Sequence, residues 1–107
     1  MGKVIEKPLF IPVKTEYFEA FKNGTKLFEM REYGKRWNEK TCRVGREVVV
    51  SKGYGKNGRL HGYVKKFERA GEFYPFSNDD FHALRKCFPD RAFDVAVIWI
   101  EWRDTHG

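Results

Sequence analysis

The densest grouping of chemistry-bearing side chains is Gly24-Thr25-Lys26-Leu27-Phe28-Glu29-Met30-Arg31, a G-x-K-x-x-E-x-R string. In a cleft poor in water a carboxylate can take a proton, an ammonium can give one or steady an oxyanion, and a guanidinium can clamp a phosphate through its planar fork. Glu29, Lys26 and Arg31 are the candidates for those three roles. Glu29 and Arg31 stand two positions apart, which puts both on one face of a strand. There they also make an ordinary exposed ion pair, worth about 0 to 1 kcal/mol.

Two further strings combine glycine, aromatic rings and cations: Tyr33-Gly34-Lys35-Arg36-Trp37-Asn38 and Ser51-Lys52-Gly53-Tyr54-Gly55-Lys56. Glycine lets a backbone approach a phosphate, Lys and Arg supply charge, and the rings offer a stacking platform. Tyr33, Arg36, Trp37, Lys52, Tyr54, Lys56 and the nearby Arg59 therefore join Arg31 as candidate ligand-binding residues. Neither string has the spacing of a P-loop or of a dinucleotide-binding turn. The competing readings are a flexible hairpin tip for the second string and core packing for Trp37.

The available nucleophiles are Ser51, Thr25, Thr41 and Cys42, and no His stands in a supporting position, so no triad is expected. Cys42 lies among Lys40, Arg43 and Arg46, which lower a thiol pKa, whereas burial raises it. Cys42 and Cys87 form no CxxC pair and read as two unpaired thiols of a reducing compartment. His61, His82 and His106 are scattered, so no metal site is expected, and no motif calls for a cofactor.

The 107 residues carry 21 Lys+Arg against 15 Asp+Glu, a net charge of +6. The charge is concentrated: residues 22–66 hold 13 Lys+Arg and 4 acids, hence +9, and the rest of the chain is mildly acidic. A basic centre that also holds Tyr33, Trp37, Tyr54 and Tyr63 suits phosphates and bases, though a solvated basic face over an aromatic core has the same composition. The longest nearly apolar run, Val95 to Ile100, is far short of the roughly 20 residues of a membrane span, and Met1 to Phe10 has no secretory pattern. A cytoplasmic monomer is the working expectation.

The elements that must position these residues follow from periodicity and punctuation. Phe10 to Val13 reads as a short strand interrupted by Pro12, a residue that sheets admit only at edges or bulges. A helix runs from an N-cap at Thr15 to the left-handed stop at Asn23-Gly24. Lys26 to Glu32 alternates as a half-buried strand, with Phe28 and Met30 inward and Glu29 and Arg31 on the exposed face. Tyr33 to Gly45 is a long connection; Arg46 to Ser51 and Leu60 to Phe67 form a hairpin through the Gly-rich turn. Ser77 and Asp80 make a capping box for a helix over Asn78 to Cys87, ended by Pro89. Phe93 to Trp102, bounded by Asp90 and the polar tail from Asp104, is the last strand. The order predicts a single α+β domain over residues 1–107, built round a curled sheet or barrel.

Motif, spacing and element order together resemble the ASCH domains of the PUA-like superfamily, small barrels associated with RNA. The resemblance covers roughly Leu9 to Phe67, through Ile11-Pro12-Val13-Lys14, Tyr17-Phe18, Gly24-x-Lys26, Glu29-x-Arg31, Val44-Gly45 and the strand pair around Gly62. It implies a PUA-like β-barrel of about five or six strands with two short helices. It also implies a cleft lined by Lys26, Glu29 and Arg31 that takes RNA or a modified nucleoside or nucleotide. Some ASCH proteins are amidohydrolases acting on 4-acetylcytidine and others are described as ribonucleases, so the alternative is a hydrolase using Lys26 and Glu29. Lys26 matches the family's catalytic Lys, whereas Glu29 stands where the amidohydrolases carry a Thr nucleophile. Glu68 and Glu72 are the nearest acids after the shared strands for the third catalytic position. A protein-interaction module, binding an acidic partner and no RNA, is the third reading.

Overall fold

The chain folds as β1 (Leu9–Val13), α1 (Thr15–Asn23), β2 (Phe28–Glu32), β3 (Glu47–Lys52), β4 (Arg59–Ala70), α2 (Asn78–Cys87) and β5 (Val95–Trp102). The structure, a computed structural model, describes residues 6–55, 58–71, 74–89 and 93–103. The five strands make one curled half-barrel sheet in the order β1-β3-β4-β5-β2. β1 pairs with β3 in parallel, and every other neighbour is antiparallel. β1 is an edge strand, one of the places where Pro12 fits, because a proline inside a paired ladder would leave a gap.

β4 is longer than the alternation around Leu60 to Phe67 suggests, and its pairing gives the reason. Its first half pairs with β3, while the stretch from Gly62 to Ala70 pairs with β5, with a register shift between Val64 and Lys66. Such a bulge bends a strand and sharpens its twist, and here it carries one strand round the curl. The polar Glu68-Arg69-Ala70 end is held in the sheet by β5, whose apolar run needs a partner along its whole length. Gly62 is fixed by crowding: a Cβ there would lie 2.4 Å from the Glu101 carbonyl oxygen.

The sheet separates two apolar clusters, and β5 feeds both. Ala96, Ile98 and Ile100 face the inner cluster, with Ile11, Phe18, Phe21, Val48, Val50 and Trp37. Val95 and Val97 face the outer one, with Leu84, Phe88 and Phe93 under α2. The β2 register settles which way its side chains look. Glu29 lies opposite Ile98 and Arg31 opposite Ala96, so both charged residues belong to the inner, concave face. Phe28 and Met30 pack on the outer cluster. The expected alternation is therefore correct, but the face carrying Glu29 and Arg31 is not a solvent face. Glu29 is only 8% exposed, because the curl turns this face toward β1 and α1.

The helix ends differ slightly from expectation. Lys14 rather than Thr15 is the N-cap of α1, and its carbonyl accepts from Phe18 N–H with no side-chain cap. Gly24 closes α1 at φ 87°, where a side chain would be strained. Lys26 N–H still bonds back to the Ala20 carbonyl, which delays the start of β2 to Phe28. At α2 the Ser77 hydroxyl accepts from Asp80 N–H at 3.1 Å, as the sequence predicts. Among the described residues no helix is long and apolar enough to cross a membrane.

Candidate functional site

The two edge strands, β1 and β2, approach each other where the sheet fails to close, and a guanidinium stands in for the missing ladder. Arg31 Nη2 donates to the Pro12 carbonyl oxygen at 2.6 Å and to Glu29 Oε2 at 3.1 Å. Glu29 Oε1 accepts from Met30 N–H at 2.9 Å and lies 3.7 Å from Lys26 Nζ. One buried carboxylate thus holds two cations. Burial of an ion group is tolerated only with such partners, since an unpaired one is strongly destabilising.

Rings set the position of each cation. The Lys26 ammonium lies 5.2 Å from the centroids of both Tyr17 and Phe21 and 6.0 Å from that of Phe28. The Arg31 guanidinium lies 5.1 Å from the Trp37 ring, and Arg36 reaches the same ring at 5.1 Å. At these separations the ring quadrupole attracts a cation. Trp37 belongs to the core, so its part is to hold Arg31 rather than to present a free stacking face. That placement follows from the Tyr33 to Gly45 connection, which Asn38 ties together by accepting from Lys40 N–H and Thr41 N–H and donating to the Gly34 and Lys35 carbonyls.

Lys26, Glu29 and Arg31 open into a cleft of about 430 Å³ that also involves Lys14, Tyr17 and, from α2, Asp80 and Cys87. A groove of about 270 Å³ adjoins it across Pro12 and Arg31 and ends at Gly53 and Tyr54. Tyr54 is 81% exposed, its ring 6.3 Å from that of Phe10, and Arg59 covers Phe10 at 5.5 Å. Lys52 is exposed at the end of β3, where its N–H takes the Gly58 carbonyl to close the turn. Of these candidates Tyr54 lines the groove; Lys52 and Arg59 are not among its lining residues, and Lys56 falls outside the described residues.

Tyr33 does not reach the cleft. Its hydroxyl donates to Glu39, a bond that pushes the phenol pKa up and holds the Glu39 carboxyl down. Arg69 covers the Tyr33 ring at 3.9 Å. Glu68 likewise points elsewhere: it accepts from Tyr74, which is the main reason its carboxyl lies below its ordinary value. Glu72 is outside the described residues.

The nucleophile candidates also stand apart. Ser51 is fully buried, the Thr25 hydroxyl is spent on Asn23 and Ala20, and Thr41 closes the Asn38 turn. Burial pushes the Cys42 thiol up, outweighing Thr41, Asn38 and Arg46. Cys42 is buried and Cys87 exposed, both as free thiols. Among the described residues no three His, Cys, Asp or Glu side chains gather as metal ligands.

Sequence reasoning missed Pro12, Tyr17 and Asp80. A strand carbonyl used as an acceptor leaves no trace in residue type, and Tyr17 reads as one more apolar position of α1. The signal for Asp80 was present but absorbed by its place in the capping box. No protein-family model and no curated protein matches the chain.

Proposed function

We propose that the chain is an ASCH-type, PUA-like domain whose cleft at the β1/β2 seam binds RNA or a modified nucleoside. The observation that carries this reading is the buried Glu29 carboxylate flanked by Lys26 and Arg31 at the floor of a cleft. A surface ion pair needs no such enclosure. Lys26 keeps ammonium hydrogens free toward the cleft, because its only ion pair among the described residues, at 3.7 Å, is longer than a hydrogen bond. Arg36 shares the Trp37 ring with Arg31, and Tyr54 supplies an exposed ring at the groove. Titration with a short RNA over a range of salt tests the proposal. Three phosphate contacts would give a log–log slope of about −2 on a single strand. An affinity that ignores ionic strength would sink it.

The alternative is hydrolysis of a 4-acylated cytidine or of RNA with Lys26 and Glu29 as the working pair. The free donors of Lys26 beside a carboxylate favour it. For deacylation, water attacks the acyl carbonyl, its proton passes to Glu29, Lys26 steadies the oxyanion, and the departing amine takes the proton. Both oxygens of Glu29 already accept hydrogen bonds, from Met30 and Arg31, and this weighs toward binding. Mass spectrometry of acylated cytidines and a short RNA after incubation with the protein decides between the two. Product that disappears in Lys26→Ala with the fold intact would make the chain an enzyme.

A further inference from the structure

Beside the cleft lies a smaller pocket of about 210 Å³, walled by Phe28, Tyr74, Phe76 and Trp99 and edged by Asp80. Phe28 and Trp99 lie 4.7 Å apart between centroids with their planes tilted by 41°, and Tyr74 and Phe76 lie 4.7 Å apart tilted by 49°. The two share a wall at Asp80. A shallow depression lined by Lys26, Phe28 and Asp80 lies between them, so Asp80 borders the cleft, the depression and the aromatic pocket alike.

Asp80 is not explained by its helix. A full capping box would have its carboxylate accept from Ser77 N–H, but only the Ser77 half of the exchange is made. Among the described residues the Asp80 carboxylate has no hydrogen bond and no ion pair. A carboxylate in a basic groove repels phosphate, and next to an aromatic wall it matches an N–H donor on a base edge. Lys66 lies 5.7 Å from the Trp99 ring and pairs with Glu68 at 3.3 Å.

The geometry points to a second base subsite here, taking a nucleobase with an exocyclic amino group. The ligand is then a strand of two or more nucleotides rather than a free nucleoside. This rests on the reading of the seam cleft as a nucleic-acid site and extends it. Aromatic rings supply the stacking surface, and Asp80 selects cytosine over uracil by accepting from the amino group.

The test is an anisotropy titration of the full chain with labelled oligocytidylates and oligouridylates of one, two and four nucleotides. Binding should tighten about tenfold once a second nucleotide is present, the scale of one stacked base, with cytidine favoured over uridine. Phe76→Ala should erase the gain with length. Phe76 also packs edge-on against Phe93, so Asp80→Asn, which keeps the volume, carries the test if the first variant is poorly folded. It should keep the gain with length and lose the preference for cytidine. An affinity independent of length overturns the subsite, as do two variants that behave like the parent while Lys26→Ala still loses binding; both results leave the seam reading standing. No binding of any oligonucleotide by the unmodified protein overturns the subsite together with the RNA reading of the seam.

Discussion

Two clusters in this molecule use the same parts in different surroundings. At the seam, Arg31 pairs with Glu29 and lies against Trp37; across β5, on the far side of Ala96, Arg69 pairs with Asp94 and lies against Tyr33. The second has better ion-pair geometry, with two parallel bonds of 2.9 and 3.0 Å. Yet both its side chains are about half exposed, whereas Glu29 is buried and its cations line a cleft. Water competes for every bond of the exposed pair and for few at the seam. Burial rather than bond geometry therefore decides which cluster matters for stability.

Removing Arg31 should give the largest effect. Arg31→Ala takes away the bridge to the Pro12 carbonyl and leaves Glu29 buried, with Lys26 and Met30 N–H as its partners. Urea denaturation should show a loss of about 3 kcal/mol, near the low end for breaking a buried pair because Lys26 remains. A loss below about 1 kcal/mol would place the seam in the same class as the exposed pair.

Lys26→Ala should separate binding from folding. Glu29 keeps Arg31, and α1 still ends on Gly24, so the midpoint of unfolding should move little. On the proposed reading of the seam, RNA affinity should drop about tenfold or more, the scale of one charge-assisted hydrogen bond, and the salt slope should shrink by about 0.7. Equal losses in stability and binding would instead make Lys26 a structural residue.

The contrast also explains what the sequence could and could not reveal. Period and punctuation placed every strand and both helices, because Gly24, Ser77 and the β-branched Val48-Val49-Val50 act locally. The Glu29-x-Arg31 spacing put both residues on one face correctly. Which face that is depends on the curl of the sheet, and the curl depends on a bulge between Val64 and Lys66 that no local pattern announces. Trp37 was legible as an ordered ring in a long connection, but not as the floor beneath Arg31, since that contact joins a loop to a strand by packing alone. The Gly24 to Arg31 string grouped Lys26, Glu29 and Arg31, which line one cleft. The α2 wall with Asp80 lies beyond the stretch it covers.

Asp94→Asn should have the smallest effect. Hydrogen bonds from Arg69 hold the Asp94 carboxyl below its ordinary value, and the Tyr33 hydroxyl holds Glu39 down in the same cluster. A carboxyl depressed in the folded state adds stability that is complete above its unfolded pKa, about 4, and vanishes as pH falls through the folded value. Any contribution from Asp94 is therefore present at pH 7 and lost on acidification below about pH 4. Both partners are open to solvent, so the urea midpoint of Asp94→Asn at pH 7 should match the parent closely. Its acid limb should be slightly shallower, because one titrating group has gone. A clear loss at pH 7 would contradict the rule drawn from the seam, since the exposed pair would then be stabilising the sheet through bond geometry alone.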